Sequence, residues 1–370
     1  MKQYTSLYFV GAGGIGMSAL VRYFLAKGYK VAGYDRTQSP LTTELKTEGL
    51  EIVYEESVES IPDYCRNPET TLVVYTPAIP ASHAGLVYFR EHGFRVVKRA
   101  ELLGLITQSS RGLCFAGTHG KTTTSSMAAH IFHESPIGCN AFLGGILRNY
   151  NSNLILSEQS PFTVIEADEY DRSFHWLHPY MAVVTATDPD HLDIYGTEEA
   201  YLESFAHFTS LIQPGGCLIM KKGIRLVPNV KEGVKIYTYS ARDGGDFHAG
   251  NIRIGDGTIV FDFVTPEGVF ADIELGVPVE INIENAVAAM AIAWLNGVSG
   301  DNLRRAMASF KGAKRRFEFW VRRPDRVMID DYAHHPDELK ASIRSVKALY
   351  PGRRLSVIFQ PHLYLSLIHI

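Results

Sequence analysis

Gly117, Gly120, Lys121 and Thr122 fall within one short run, G-L-C-F-A-G-T-H-G-K-T-T-T from Gly112 to Thr124. Amides of a glycine loop, together with the N-terminus of a following helix, turn positive dipole toward a polyphosphate. Lys121 has the reach for β- and γ-oxygens, and the Thr122 hydroxyl can hold Mg²⁺. The common phosphate-loop spacing, G-x-x-x-x-G-K-[ST], calls for glycine where this chain has Phe115; the nearest glycine is Gly117. The loop is a shortened variant that keeps the mechanics. Its alternative is an ordinary loop before a helix. The chemistry it implies is on a phosphoanhydride.

Two acidic runs accompany it: Glu166-Ala167-Asp168-Glu169-Tyr170-Asp171 and Asp188-Pro189-Asp190-His191-Leu192-Asp193. Each follows an apolar strand, and the carboxyl ends of parallel strands share one edge. Glu166 and His191 are therefore expected beside the phosphate loop, completing a Mg²⁺ site with Thr122 and phosphate oxygens. Histidine is a less usual magnesium ligand and can act through water. The competing reading is solvated strand-end caps and a structural histidine.

Further candidates come late in the chain. Asn285, in N-I-E-N at 282–285, can meet an adenine edge or cap a helix start. The basic cluster Lys314-Arg315-Arg316 suits a transferring phosphate or a solvated face. Asp330-Asp331-Tyr332-Ala333-His334-His335-Pro336 puts two acids and two histidines at a strand end, before a proline suited to a first helical turn. Early in the chain, Gly11-Ala12-Gly13-Gly14-Ile15-Gly16 matches G-x-G-x-x-G, with Asp35 ending the next strand. Alone it is a weak dinucleotide or nucleotide-sugar fingerprint, with NAD as one candidate ligand.

The elements that must position these residues alternate between strand and helix. Strands are expected at 6–10, 30–34, 71–75 and 94–97, with a helix over 17–26 ending at Gly28. A polar linker near Thr107 opens a second unit with strands at 113–116, 162–166, 181–186 and 216–220 and helices at 123–132 and 283–295. Short strands between Lys235 and Leu275 read as an antiparallel patch. Beyond a boundary near Gly312, strand 327–330, helix 336–349 and strand 355–359 begin a third α/β unit. One crossover cannot cover both faces of a sheet, so that unit reads as incomplete.

Length and composition agree with a multidomain globular chain: 370 residues, 46% hydrophobic, net charge −4. No global attraction to nucleic acid follows, so anion binding must be local. Cys65, Cys114, Cys139 and Cys217 form no C-x-x-C pair, which argues for a reducing compartment over a disulfide framework or zinc site. No signal peptide is expected and no run of eighteen apolar residues occurs, so a cytoplasmic bacterial protein is expected, with no membrane span.

In this order, the motifs G-A-G-G-I-G-M-S (11–18), G-T-H-G-K-T-T (117–123), E-A-D-E-Y-D (166–171), D-H-L-D (190–193), N-I-E-N-A (282–286), R-R-F-E (315–318) and D-Y-A-H-H-P (331–336) resemble the Mur ligases of peptidoglycan synthesis. The set runs through nearly the whole chain. It implies an α/β protein of three domains: an N-terminal Rossmann-like domain (1–106) for UDP-N-acetylmuramate, a central P-loop ATPase-like domain (107–312), and the start of a C-terminal Rossmann-like ligase domain (313–370). By family pattern, Gly117, Thr118, His119, Gly120, Lys121, Thr122, Thr123, Asn285, Arg316 and Asp331 bind ATP. Gly13, Gly14, Ile15, Gly16, Asp35, His119, His335 and His362 bind substrate. Lys121, Glu166, His191 and Arg316 are catalytic, and Thr122, Glu166 and His191 serve Mg²⁺. His119 resembles the alanine-adding members, whose reaction joins L-alanine to the muramate carboxylate through an acyl phosphate.

Two departures stand out. Tyr34 occupies a position where relatives often carry Ser. After Phe359-Gln360-Pro361-His362-Leu363-Tyr364 the family continues with a small polar residue and Arg, whereas this chain reads Leu365-Ser366-Leu367-Ile368-His369-Ile370. A truncated third domain, and a chain that binds its nucleotides without ligating, are the expectation. Competing readings are a ligase that attaches a whole peptide to UDP-muramate, an NAD-dependent oxidoreductase and a non-catalytic nucleotide-binding module.

Overall fold

The computed structural model describes residues 3–255, 257–333 and 336–360. The first unit comprises β1 (Ser6–Val10), α1 (Ile15–Ala26), β2 (Lys30–Tyr34), α2 (Pro40–Thr47), β3 (Glu51–Val53), β4 (Thr71–Tyr75), α3 (Ala84–Glu91), β5 (Arg95–Lys98) and α4 (Arg99–Thr107). Its five strands are parallel in the order β3-β2-β1-β4-β5. All five residues of β1 are buried, as expected of a central strand covered on both faces. α1 starts from the glycine turn and stops at Lys27, with Gly28 in the left-handed region at φ 81°.

The central unit runs β6 (Arg111–Ala116), α5 (Lys121–His133), β7 (Asn140–Leu147), β8 (Ser152–Ile155), β9 (Phe162–Glu166), β10 (Pro179–Val184), α6 (Leu192–Tyr195), α7 (Glu198–Ser210) and β11 (Cys217–Lys221). It continues with β12 (Lys235–Ser240), β13 (Phe247–Gly255), β14 (Thr258–Thr265), β15 (Gly268–Glu274), α8 (Ile281–Leu295) and α9 (Gly300–Ser309). One sheet holds every strand, in the order β15-β14-β13-β12-β11-β10-β6-β9-β7-β8. The expected antiparallel patch is antiparallel only from β13 to β15. β12 pairs parallel with both β11 and β13, extending the parallel sheet. α8, buried along nearly its whole length, packs with α5 and α9 over one face.

The other face meets the first unit. A single apolar cluster joins Leu20, Val21 and Phe24 of α1 to Phe142 of β7 and Leu154 of β8, and reaches Phe205 and Phe208 of α7. The Tyr23 and Phe142 rings lie 5.2 Å apart. Asn153 binds the same helix, accepting from Arg22 Nη1 at 2.9 Å and donating to Ser18 Oγ at 3.0 Å.

The third unit consists of an antiparallel pair, β16 (Glu318–Arg322) and β17 (Val327–Asp330), followed by α10 (Pro336–Leu349). The strand expected at 355–359 does not form. These residues pair with no strand among the described residues, and Ile358 is fully exposed. An apolar β-branched run becomes a strand only where a neighbour accepts its ladder. The unit is sewn to the end of β7: Leu147 bridges Ala313, Lys314 N–H donates to Ile146 O and Arg148 N–H to Gly312 O, both at 2.9 Å.

Candidate active site

β6 lies between β9 and β10, all three parallel, so Ala116, Glu166 and Val184 end at one edge. The chain leaves β6 through Gly117 (φ 137°) and enters α5 from Gly120 (φ 83°). Both angles favour glycine. A Cβ on Gly117 would also overlap Thr185 Oγ1 and stand 2.8 Å from Ala186 N. The loop is fastened to the end of β10. Thr118 N–H donates to Ala186 O at 3.1 Å, Thr118 Oγ1 donates to Asp188 O at 2.8 Å, and the Thr185 hydroxyl donates to His119 O. Among the described residues no side chain caps α5, and its first turn holds no acid. That leaves its amide end to an anion.

Lys121 folds back inside the loop. Its ammonium donates to Gly117 O at 2.7 Å and to Glu169 Oε1 at 2.8 Å. The side chains of the Lys121–Glu169 pair are only 14% and 1% exposed. Burial, opposed by Lys121, holds the Glu169 carboxyl above the ordinary carboxylate range. Removing one partner of such a pair costs about 3–5 kcal/mol, because the other charge stays buried. Glu169 belongs to the E-A-D-E-Y-D motif but is not among the expected site residues. Its signal is the i, i+3 spacing from Glu166, just past a strand end.

Thr122 Oγ1 donates to Glu166 Oε1 at 2.9 Å. Glu166 Oε2 is buried and has no hydrogen-bond partner among the described residues. It lies against Gly144 of β7, where a Cβ would overlap it. Burial pushes the Glu166 carboxyl upward, while Lys121, the Thr122 hydrogen bond and Arg316 favour its anion. An orphaned carboxylate oxygen beside a hydroxyl is a donor set that fits a hard, oxygen-seeking cation such as Mg²⁺. Among the described residues no group of three or more His, Cys, Asp and Glu can hold a metal ion, so phosphate and water oxygens would complete the shell. His191 makes its contacts elsewhere. It sits in the left-handed region (φ 52°), edge-on to Tyr170 with ring centroids 5.1 Å apart, and Nε2 is 3.6 Å from Asp190 Oδ2.

Asn285 is not a helix-start cap, because α8 begins at Ile281. Its Oδ1 accepts from Thr124 Oγ1 of α5 at 3.2 Å and its amide donates to Asn282 Oδ1 at 3.1 Å. Arg316 belongs to a tight turn in which Arg315 and Phe317 have φ of 60° and 48°. Asp331 Oδ1 accepts from Phe317 N at 3.3 Å, and the Arg316 guanidinium lies 5.9 Å from the Tyr332 ring centre. That turn hangs on β7, the strand that backs Glu166. His335 and His362 lie outside the described residues.

At the first glycine turn, Asp35 Oδ2 accepts from Gly13 N at 2.7 Å and Oδ1 from Thr37 N at 3.2 Å. Tyr34 packs on His83, with ring centroids 4.5 Å apart. Ile15 is among the exposed apolar residues. All four cysteines are free and buried, and no helix among the described residues is long and apolar enough to cross a membrane.

Three family models match the chain. The one described as Mur ligase family, catalytic domain covers residues 6–111, Mur ligase middle domain covers 115–293, and Mur ligase, glutamate ligase domain covers 315–363. The UDP-N-acetylmuramate–L-alanine ligase of Parabacteroides distasonis is 66% identical over 364 residues, which span 98% of this chain and 79% of that one. The protein of the same description from Flavobacterium johnsoniae is 46% identical, over 98% of this chain and 79% of its own. Among solved structures, the UDP-N-acetylmuramate–alanine ligase of Thermotoga maritima superposes with a TM-score of 0.83 at 26% identity, covering 96% of this chain and 80% of that one.

Proposed function

Because this chain belongs to the Mur ligase family, we propose that it joins L-alanine to the carboxylate of UDP-N-acetylmuramate with cleavage of ATP to ADP and phosphate. A carboxylate does not acylate an amine directly, since oxide is a poor leaving group. Attack of the muramate carboxylate on the γ-phosphorus forms an acyl phosphate and releases ADP. The alanine amine then attacks the acyl carbon, the acyl carbon–oxygen bond breaks with its electron pair leaving on phosphate, and the nitrogen's proton passes to solvent. Both steps build negative charge on oxygen, so positioning and charge neutralisation carry the catalysis.

The observation that carries this reading is the convergence of Lys121, Thr122, Glu166 and, through its charge, Arg316 at one strand edge. Lys121 meets the γ-phosphate, exchanging Glu169 for it. Arg316, delivered by the third unit, faces the same oxygens. Thr122 and Glu166 would hold Mg²⁺, which would neutralise phosphate charge, and His191, whose ring lies on Tyr170 and beside Asp190, would join them through water. Asn285 contacts adenine and Asp331 the ribose, with Gly117 to Thr123 around the phosphates. Gly13 to Gly16 and Asp35 receive the nucleotide sugar, and His119, His335 and His362 complete the substrate contacts.

Calorimetric titration of this 370-residue chain with UDP-N-acetylmuramate, with ATP–Mg²⁺ and with NADH tests the reading, followed by phosphate release with and without L-alanine. Saturable binding of the first two and none of NADH is expected. A chain that ignores UDP-N-acetylmuramate overturns it.

A further inference from the structure

The residues assigned so far to the nucleotide sugar leave its diphosphate without a cation. Gly13 to Gly16 offer amides, and Asp35 is an anion whose two oxygens are already engaged by Gly13 and Thr37. Two phosphate charges brought against backbone dipoles and a carboxylate need a positive side chain.

Arg99 is placed to be that side chain. It opens α4 directly after β5, and β5, β4 and β1 are parallel neighbours. The end of β5 and the Gly11–Gly16 turn therefore share the carboxyl edge of the first sheet. The Arg99 guanidinium lies on Gly16 itself: a Cβ there would stand 2.8 Å from Nη1, 3.2 Å from Cζ and 3.3 Å from Cδ. Its sole ion-pair partner among the described residues is Asp168, with Nη2 3.7 Å from Oδ2, and it donates no hydrogen bond among them. The Arg99 side chain is three-quarters buried yet keeps an open fork of N–H donors, a geometry that matches phosphate oxygens bidentately. The adjacent Lys98 is differently placed, donating to Asp171 Oδ2 at 3.2 Å.

We propose that Arg99 binds the diphosphate of the UDP-sugar at the Gly13–Gly16 turn, giving up Asp168 to do so. The inference rests on the reading above and adds a residue to it. Asp168 lies between Glu166, which meets Thr122, and Glu169, which meets Lys121. The first ligand thereby frees a carboxylate inside the segment that lines the ATP loop.

The test is calorimetry of wild type, Arg99→Met, Arg99→Lys and Asp168→Asn with UDP, uridine and ATP. Losing a bidentate charge-assisted contact should weaken UDP binding of Arg99→Met about 100-fold, with uridine and ATP little changed. Arg99→Lys should recover part of the loss, since charge remains and the fork does not, and it separates lost charge from lost packing. Asp168→Asn, which removes the competing anion, should bind UDP at least as tightly as wild type. UDP binding by Arg99→Met within twofold of wild type overturns the inference, as does an equal loss for uridine. A wild-type chain that binds no UDP overturns the underlying reading, and this inference with it.

Discussion

Gly144 and Gly145 are neighbours in one strand, yet alanine at the two positions should act very differently. A Cβ on Gly144 would overlap Glu166 Oε2 and stand 2.9 Å from Cδ and 3.1 Å from Oε1. The carboxylate must then retreat by about 1 Å to regain van der Waals distance. Its tip cannot swing at no cost, because Oε1 accepts from Thr122 Oγ1 at 2.9 Å in a buried site. Losing that bond to a charged group costs about 1.5–3 kcal/mol of stability. Disturbing the setting of a metal-binding carboxylate lowers metal affinity about 10- to 100-fold. A Cβ on Gly145 would instead lie 3.3 Å from Ala313 Cβ and 3.5 Å from Thr122 Cγ2, which asks for a few tenths of an ångström at most. The assay is the Mg²⁺ concentration that half-saturates ATP binding, read with thermal melts of each variant. Gly144→Ala should need at least tenfold more Mg²⁺, and Gly145→Ala should stay within about threefold of wild type, well under that expected loss. If Gly144→Ala titrates like wild type, or the two variants lose equally, the placement of Glu166 at the metal is wrong.

Lys121→Met should cut turnover about 100- to 1000-fold, as loss of an electrostatic donor does, and should also destabilise the fold by stranding Glu169. Adding Glu169→Gln should restore the melting temperature without restoring phosphate release. His130 is buried between Tyr150 and Ser309, its ring nitrogens 2.7 Å and 2.9 Å from their hydroxyls. Burial, opposed by Glu134, lowers its pKa to about 4 from 6.5. The depressed folded-state value makes His130 stabilising above pH 6.5, with that contribution, up to about 3 kcal/mol, lost as pH falls toward 4. Denaturant titrations across this window should show that slope in wild type and a shallower one in His130→Gln. The four cysteines are buried, and burial raises each thiol, Cys65 and Cys217 to about 12. Iodoacetamide should therefore leave the native chain unlabelled at neutral pH and modify all four residues in denaturant.

The sequence made the parallel edge legible because β6, β9 and β10 are short apolar runs that end in glycine, acids or threonine. That edge brings Glu166 to Thr122. It did not reveal the β7–β8 hairpin, for which the sequence assigns no element between 133 and 161. The run Asn140-Ala141-Phe142-Leu143-Gly144-Gly145-Ile146-Leu147 has neither alternation nor helical period, and two interior glycines weaken any strand reading. Those glycines were the available signal, since glycine inside a strand marks a close approach, here the Glu166 carboxylate. Glu169 was illegible for a different reason. In a motif of four acids, sequence cannot tell which carboxylate turns inward. The expected strand at 355–359 fails the other way, as an apolar run without a partner ladder.

The apolar cluster shared by α1 and the β7–β8 hairpin limits how these units can be exchanged. Each sheet has its own order, yet the two are not separable cassettes. A chimera cut in the linker at 108–110 would pair a foreign helix surface with Phe142, Asn153 and Leu154. Grafts that carry α1 together with β7 and β8 keep Tyr23 on Phe142 and Arg22 on Asn153. Recombination between relatives should therefore succeed along that discontinuous boundary and fail at the linker, even though the linker looks like the natural seam.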